Sequence, residues 1–243
     1  MRVGINGRAL AKPKPTGVSR YTKHLLAALT DRDDDIEYVV FGVESLPPPL
    51  RATPRIETAG PSPSVASGLR GHLWEQGVLP RIIRRHDIDL LHSPAGFTPF
   101  LASVPTVLTV HDISPITHPE WFSHGYTALY RMLTPLTLRR VDHVITISEF
   151  SKTETVNRYP RTEHKISAVH NGLNPISETD TEPVDGLEEN GFLLFLGALD
   201  PRKNITRILD AYRNYRSRVD EPLPLIFAGA ARDVSSAVAR PST

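Results

Sequence analysis

Two adjacent cations, Arg202 and Lys203, stand in the stretch Gly197-Ala198-Leu199-Asp200-Pro201-Arg202-Lys203-Asn204, after an apolar run and before residues with helical spacing. Cations at a helix start oppose the helix dipole unless an anion offsets them. A diphosphate would do so, gripped by Arg as a two-pronged donor and by Lys as a point charge. The plain alternative is a solvent-facing pair beside Asp200. A second candidate is His111-Asp112, which closes the β-branched run 106–111. A His there can move a proton or hydrogen-bond a hydroxyl near neutral pH. Against this stands a His satisfied by backbone carbonyls, with Asp112 capping the next turn. His118 and His124 follow, but neither pairs with His111 at the i, i+4 spacing of a helical metal site, so no metal is expected. The third candidate is Gly17, which leads into Val18-Ser19-Arg20-Tyr21 where a loop becomes a helix. Free N–H groups at such a point suit phosphate. Gly-x-Gly-x-x-Gly is absent, and a turn glycine beside a solvated Arg20 competes with that reading. His170-Asn171-Gly172 reads as a tight turn.

The elements that must position these residues alternate. Residues 2–6 form a strand candidate, followed by a loop with Lys12, Pro13, Lys14 and Pro15. Val18, Tyr21, Leu25 and Leu29 then recur at helical spacing, and 36–42 is a second strand, giving a βαβ unit. Pro47, Pro48, Pro49, Pro54, Pro61 and Pro63 mark a long irregular stretch. Beyond it, 69–85 is helical with a break at Gly77 and Pro80. Residues 88–92 and 106–111 are strands, 128–140 is helical apart from Pro135, and 143–147 is a strand. A helix starts at Ser148 or Ser151, the latter with capping-box spacing to Glu154. A last strand, 166–169, closes this half. Short apolar strands alternating with helices predict a parallel sheet covered on both faces.

The acidic, polar stretch 174–190, with Pro175 and Pro183, predicts a linker between a domain at 1–173 and the start of another at 191–243. In the latter, 192–196 and 223–227 read as buried strands. Ile205, Ile208, Leu209 and Tyr212 mark a helix face between them. One such unit is short of the five or six strands of a doubly wound domain, so a truncated second domain is expected.

Composition narrows the function. Of 243 residues, 40% are hydrophobic, and the net charge is +1, which excludes a disordered chain and opposes a nucleic-acid-coating protein. With no cysteine, disulfides, thiolate metal sites and a Cys nucleophile are excluded. The longest strongly apolar run is 192–199, shorter than the roughly 20 residues of a membrane span. A cytoplasmic location is the expectation.

Six stretches in order resemble the family-four retaining glycosyltransferases of the GT-B fold. They are Thr16-Gly17-Val18-Ser19-Arg20-Tyr21, Thr109-Val110-His111-Asp112-Ile113, His118-Pro119-Glu120, Ile147-Ser148-Glu149-Phe150-Ser151-Lys152, His170-Asn171-Gly172-Leu173, and 196–204, the most specific. The resemblance implies two Rossmann-like domains, the first holding a glycan or lipid-linked acceptor and the second a nucleotide-sugar donor. The donor is a substrate, so no cofactor is implied. His111 and Asp112 take the catalytic position beside the transferred sugar. Gly17, Gly197, Arg202 and Lys203 take the donor phosphates, and the two cations replace a metal as stabilisers of the leaving group. Arg20, Tyr21 and Ser148 fall on the acceptor side. Polysaccharide or cell-envelope glycan synthesis follows, with a peripheral membrane contact expected. Arg70, Arg81, Arg84 and Arg85, interleaved with Leu69, Leu73, Trp74, Leu79, Ile82 and Ile83, could form a basic amphipathic surface helix. A domain helix burying that apolar face is the favoured reading.

The sequence departs from the family at two places. Ala198 stands where many relatives carry Arg, and no two Glu residues are separated by seven intervening residues, the spacing of the family's donor-binding pair. The expectation is therefore a chain that binds nucleotide diphosphates weakly and transfers sugar negligibly. The alternative reading is a non-catalytic remnant that binds an acceptor or partner. A sugar-nucleotide epimerase of the same fold ranks third.

Overall fold

The computed structural model describes residues 1–11, 16–32, 35–61, 68–173 and 184–229. The Lys-Pro loop at 12–15, most of the acidic stretch (174–183), Pro63 and residues 230–243 lie outside the described residues. The chain divides into two compact units, Met1–Leu173 and Asn174–Thr243.

The first unit is built on seven parallel strands: β1 (Arg2–Asn6), β2 (Glu37–Phe41), β3 (Ile56–Ala59), β4 (Leu90–Ser93), β5 (Thr106–Val110), β6 (His143–Thr146) and β7 (Ile166–Ala168). Their order is β3-β2-β1-β4-β5-β6-β7. The chain winds outward from β1 to β3, then returns to lay β4 on the other side of β1. That reversal makes β1/β4 the topological switch point, and ligands of such sheets bind outside the carboxyl ends there.

Helices cover both faces: α1 (Gly17–Thr30), α2 (Gly68–Gly77), α3 (Leu79–Ile83), the short α4 (Ser114–Thr117), α5 (His124–Arg140) and α6 (Glu149–Arg158). The strand period of two shows in β2. Tyr38 and Val40 pack with Leu26 of α1, while Val39 and Phe41 pack with Trp74, Leu79, Ile82 and Ile83 of α2 and α3. This is why β2 reads as an unbroken apolar run. Of the apolar residues of the basic amphipathic segment, Trp74, Leu79, Ile82 and Ile83 belong to the domain core, whereas Leu73 is 63% exposed. A third cluster joins Leu108, Val110, Val144 and Ile166 to Leu138 of α5.

Two local readings change, and one open alternative is resolved. The stretch read as irregular contains β3, an edge strand pairing parallel to β2 between Pro54 and Pro61, where prolines mask a short alternation. Helix α5 begins at His124 and runs through Pro135, because Leu133, Thr134, Thr137 and Leu138 are buried along it and their packing outweighs the lost hydrogen bond. The cap of α6 is Ser148, whose hydroxyl oxygen accepts from the Ser151 amide at 3.1 Å, not Ser151 itself.

The second unit holds β8 (Leu193–Leu196), a 3₁₀ turn Pro201–Lys203, α7 (Ile205–Arg216) and β9 (Leu225–Ala228), with β8 and β9 parallel. The ends of the two strands approach so closely that a Cβ on Gly229, at φ +153°, would overlap the Gly197 carbonyl oxygen. Neither strand expected to be buried is: in β8 Leu194 is 55% and Leu196 78% exposed, and all of β9 is half-buried.

Candidate active site

The carboxyl edge of the first sheet gathers the sequence candidates from several elements. His111 directly follows β5. Its Nε2 lies 2.9 Å from the carbonyl oxygen of Pro94, just beyond β4. A carbonyl only accepts, so Nε2 carries the proton and Nδ1 of the neutral ring remains an acceptor. The Tyr21 ring of α1 meets the His111 ring edge-on, with centroids 4.8 Å apart. Ser151 of α6 donates its hydroxyl to the His111 backbone carbonyl at 3.0 Å. Burial lowers the His111 pKa below 6.5, partly opposed by the Pro94 hydrogen bond and by Asp112. The ring is thus held neutral and oriented near physiological pH.

Asp112 is exposed, and its Oδ1 accepts from the Ser114 amide at 2.9 Å, which closes the tight turn leading into α4. Ser148 likewise spends its hydroxyl on the α6 cap. Both sit at the same sheet edge as His111. Thr16 caps α1 through the Ser19 amide at 3.3 Å, leaving Gly17 exposed as the first helical residue, with nothing near a Cβ position among the described residues. Arg20 is exposed, one residue from the half-buried Tyr21.

Other residues at this edge escaped the sequence reading. Glu75 of α2 has no exposed surface and accepts from Asn6 Nδ2 at 2.5 Å. Arg8 and His72 lie 3.5 and 3.4 Å from its other oxygen. A buried carboxylate thus anchors a cation beside the end of β1. His92 of β4 is buried, its Nε2 2.9 Å from the Thr109 hydroxyl, and burial lowers its pKa to about 4. Tyr130 packs edge-on to Phe97, and burial together with Tyr126 pushes its hydroxyl above the usual tyrosine range. Nothing in the local pattern around Glu75 or His92 distinguishes them from surface residues. Only the crossing of β4 beside β1 brings them to this edge.

In the second unit, Gly197 ends β8, with its amide donating to the Ala228 carbonyl at 2.9 Å. Asp200 is buried, and its Oδ1 accepts from the Arg202 amide at 3.1 Å and from Arg202 Nε at 3.4 Å. The Asp200 partner of the plain reading is therefore present for Arg202. Lys203 is exposed, and Asn204, at φ 53°, turns the chain into α7. The structure brings His111, Tyr21, Asp112 and Ser148 to one sheet edge of the first unit, while in the second Gly197 follows β8 and Arg202 and Lys203 lie in the 3₁₀ turn before α7.

The model of Glycosyltransferase Family 4 matches residues 15–176, about two thirds of the chain. The match covers the His111 edge and stops before Gly197. The chain is 25% identical to O-antigen chain mannosyltransferase B of Escherichia coli, over 88% of this chain and 60% of that protein. It is 31% identical to O-antigen chain mannosyltransferase RfbU of Salmonella typhimurium, over 40% of this chain and 26% of that protein. It thus spans at most about 60% of the length of these relatives. Among solved structures, HepE of Anabaena, in complex with UDP and glucose, superposes with a TM-score of 0.57 at 19% identity, covering 96% of this chain and 61% of that one. That likeness shows the fold.

Proposed function

The chain belongs to Glycosyltransferase Family 4, and from that premise we propose that it serves transfer of a sugar, with retention, from a nucleotide-sugar donor to a glycan or lipid-linked acceptor. The relatives named for O-antigen mannosyl transfer favour envelope polysaccharide as the product and mannose as the sugar. The observation that supports this reading best is His111. Its Nε2–H is committed to the Pro94 carbonyl, its ring rests against Tyr21, and it stands at the carboxyl edge one strand from the switch point. A neutral imidazole so fixed offers Nδ1 to a sugar hydroxyl and orients the sugar as the bond to diphosphate breaks.

In this reading Lys203 and Arg202 neutralise the departing diphosphate and Gly197 lets it approach the backbone. Gly17 admits a phosphate or an acceptor hydroxyl to the start of α1, beside Arg20 and Tyr21. Asp112 acts through the turn that it closes and Ser148 through the helix that it caps, rather than by direct chemistry. No metal enters the scheme, since two cations supply the charge, and no cofactor is needed.

The test is incorporation of labelled sugar from a panel of nucleotide sugars into lipid-linked glycan. It is accompanied by calorimetric titration of the 243-residue chain with nucleotide diphosphates. Transfer by the wild-type chain is expected to be slow, readable only over long incubation, and His111→Ala is expected to lower it at least about a hundredfold with donor binding preserved, in line with loss of a positioned polar group. Lys203→Ala is expected to weaken diphosphate binding. Transfer unchanged in His111→Ala, or diphosphate binding indifferent to Lys203, would overturn the assignment.

A further inference from the structure

Beyond the carboxyl edge, the first unit has a cavity of about 510 Å³ between the end of α5, the end of α6 and the 3₁₀ turn Pro160–Lys165. Helix α5 leads into β6 and the turn leads into β7, so the groove lies at the amino edge of the sheet, opposite His111. Arg139, Arg158, Arg161, His164 and Lys165 line it, and among the described residues no carboxylate does. In a chain of net charge +1, that separation of sign is a local construction. Arg139 and Arg158 stand in the last turns of their helices, where the dipole favours cations. That accounts for two of the four Arg and Lys side chains and not for Arg161 and Lys165, which the turn adds.

Asp142 acts on Lys165 and offsets part of the charge, whereas the guanidinium groups of Arg139, Arg158 and Arg161 have no carboxylate beside them among the described residues of the wall. Asp142 accepts from the Thr106 amide at 2.8 Å, on the next strand, and Glu163 of the same turn is exposed and not part of the wall. Lys165 Nζ donates to the carbonyls of Val141 and Arg139 at 2.5 and 3.3 Å, which fixes the turn against α5. Leu138 and Tyr159 supply an apolar floor. The volume suits a small ligand, and the guanidinium fork suits an oxyanion of phosphate geometry.

We propose that this groove is a phosphate site, taking a phosphoryl group offered by a lipid headgroup or as free phosphate. One feature favours the lipid source. Met132 and Leu136, 58% and 46% exposed, lie on the α5 face that carries Arg139, at i, i+4 and i, i+3 spacing. Exposed apolar side chains flanking a cationic groove suit a headgroup with acyl chains beside it.

The experiment uses the full 243-residue chain, with vesicles of phosphatidylcholine alone or containing phosphatidylglycerol for co-sedimentation, and inorganic phosphate for calorimetry. Binding to the phosphatidylglycerol vesicles, absent on phosphatidylcholine alone, is expected to fall about thirtyfold in Arg158→Gln/Arg161→Gln, from the contribution of two surface cations. Both positions are exposed, so the fold survives, and Arg139→Gln gives an independent second variant. Met132→Ser/Leu136→Ser, if it weakens vesicle binding while phosphate binding stays, identifies the lipid headgroup. Phosphate binding lost in the double Arg variant, without vesicle binding, identifies the free ion. No binding of either probe, binding unchanged in the Arg variants, or preference for a double-stranded oligonucleotide would refute the phosphate site.

Discussion

Leu91 of β4 and Leu194 of β8 are the same residue type in strands of the same kind, each parallel-paired to a neighbour, yet the first has no exposed surface and the second is 55% exposed. Leu91 sits with Phe41, Leu79 and Ile83, in the layer that α2 and α3 lay on the seven-stranded sheet. Leu194 lies in a two-stranded sheet whose strands are joined through one described helix, and that helix has no buried residue. A parallel strand is apolar all round because helices are meant to cover both faces. The run of residues states that need, and only the surrounding elements meet it.

The difference can be broken most forcefully at the buried charge of the first unit. Glu75→Ala removes the carboxylate that holds Asn6 and stands beside Arg8 and His72. Leaving Arg8 nearly buried without its partner is expected to cost about 3–5 kcal/mol. Both tryptophans, Trp74 and Trp121, lie in the first unit, so urea unfolding followed by fluorescence reads that unit. Glu75→Gln, which keeps the hydrogen bond from Asn6, should lose less. A loss under about 1 kcal/mol in Glu75→Ala would mean that the cluster does not hold the sheet edge.

Next comes the leucine pair itself. Leu91→Ala should cost about 2–5 kcal/mol by the cavity that it opens. Leu194→Ala should cost under about 1 kcal/mol, because little apolar area returns to water. Hydrogen-exchange mass spectrometry reads each unit separately, and amides of β8 and β9 are expected to exchange before those of β1, β4 and β5. Equal protection in the two sheets would contradict the contrast in burial.

Acid provides a smaller and graded probe. Burial depresses the His92 pKa from 6.5 to about 4. Above pH 6.5 the ring is neutral in both folded and unfolded chains, and it contributes no pH dependence. As pH falls below 6.5 the unfolded chain takes up the proton first, so stability declines until the folded ring titrates as well. Between pH 7 and pH 5 the first unit is expected to lose about 2 kcal/mol through this group. Parallel urea titrations of the wild type and His92→Gln check it, since the variant should have a shallower slope. A slope unaltered by His92→Gln would place the acid sensitivity elsewhere.

The sequence made the architecture of the first unit readable because strand and helix periods differ sharply there. Val18, Tyr21 and Leu25 mark α1 as plainly as 106–111 marks β5. Edge strand β3 stayed hidden among prolines, and the first turn of α5 stayed hidden behind polar residues. At the site, His111 was legible because it ends a strand, where side chains face the ligand crevice. Glu75, His92 and Tyr130 were not, because their meaning depends on α2, β4 and α5 converging at one edge. Arg202 and Lys203 were legible as a charged pair, but the buried Asp200 beneath Arg202 was visible only as a neighbour in sequence.

The smallest expected effect on stability is also the sharpest test of function. Gly17 has nothing within van der Waals reach of a Cβ among the described residues, and it lies in the first turn of α1 at negative φ. Gly17→Ala should therefore leave stability within about 0.5 kcal/mol of the wild type, with the better helix propensity of Ala on the favourable side. If glycine is there only to make a turn, transfer and binding should be equally indifferent. If the open space admits a phosphate or an acceptor hydroxyl to the helix start, one methyl group intrudes on it, and the affinity for that ligand falls while the melting curve does not move. Ligand titration beside thermal unfolding of the same variant separates the two cases. An unchanged affinity would remove Gly17 from the site and leave Tyr21 and His111 as the contribution of the α1–β5 region.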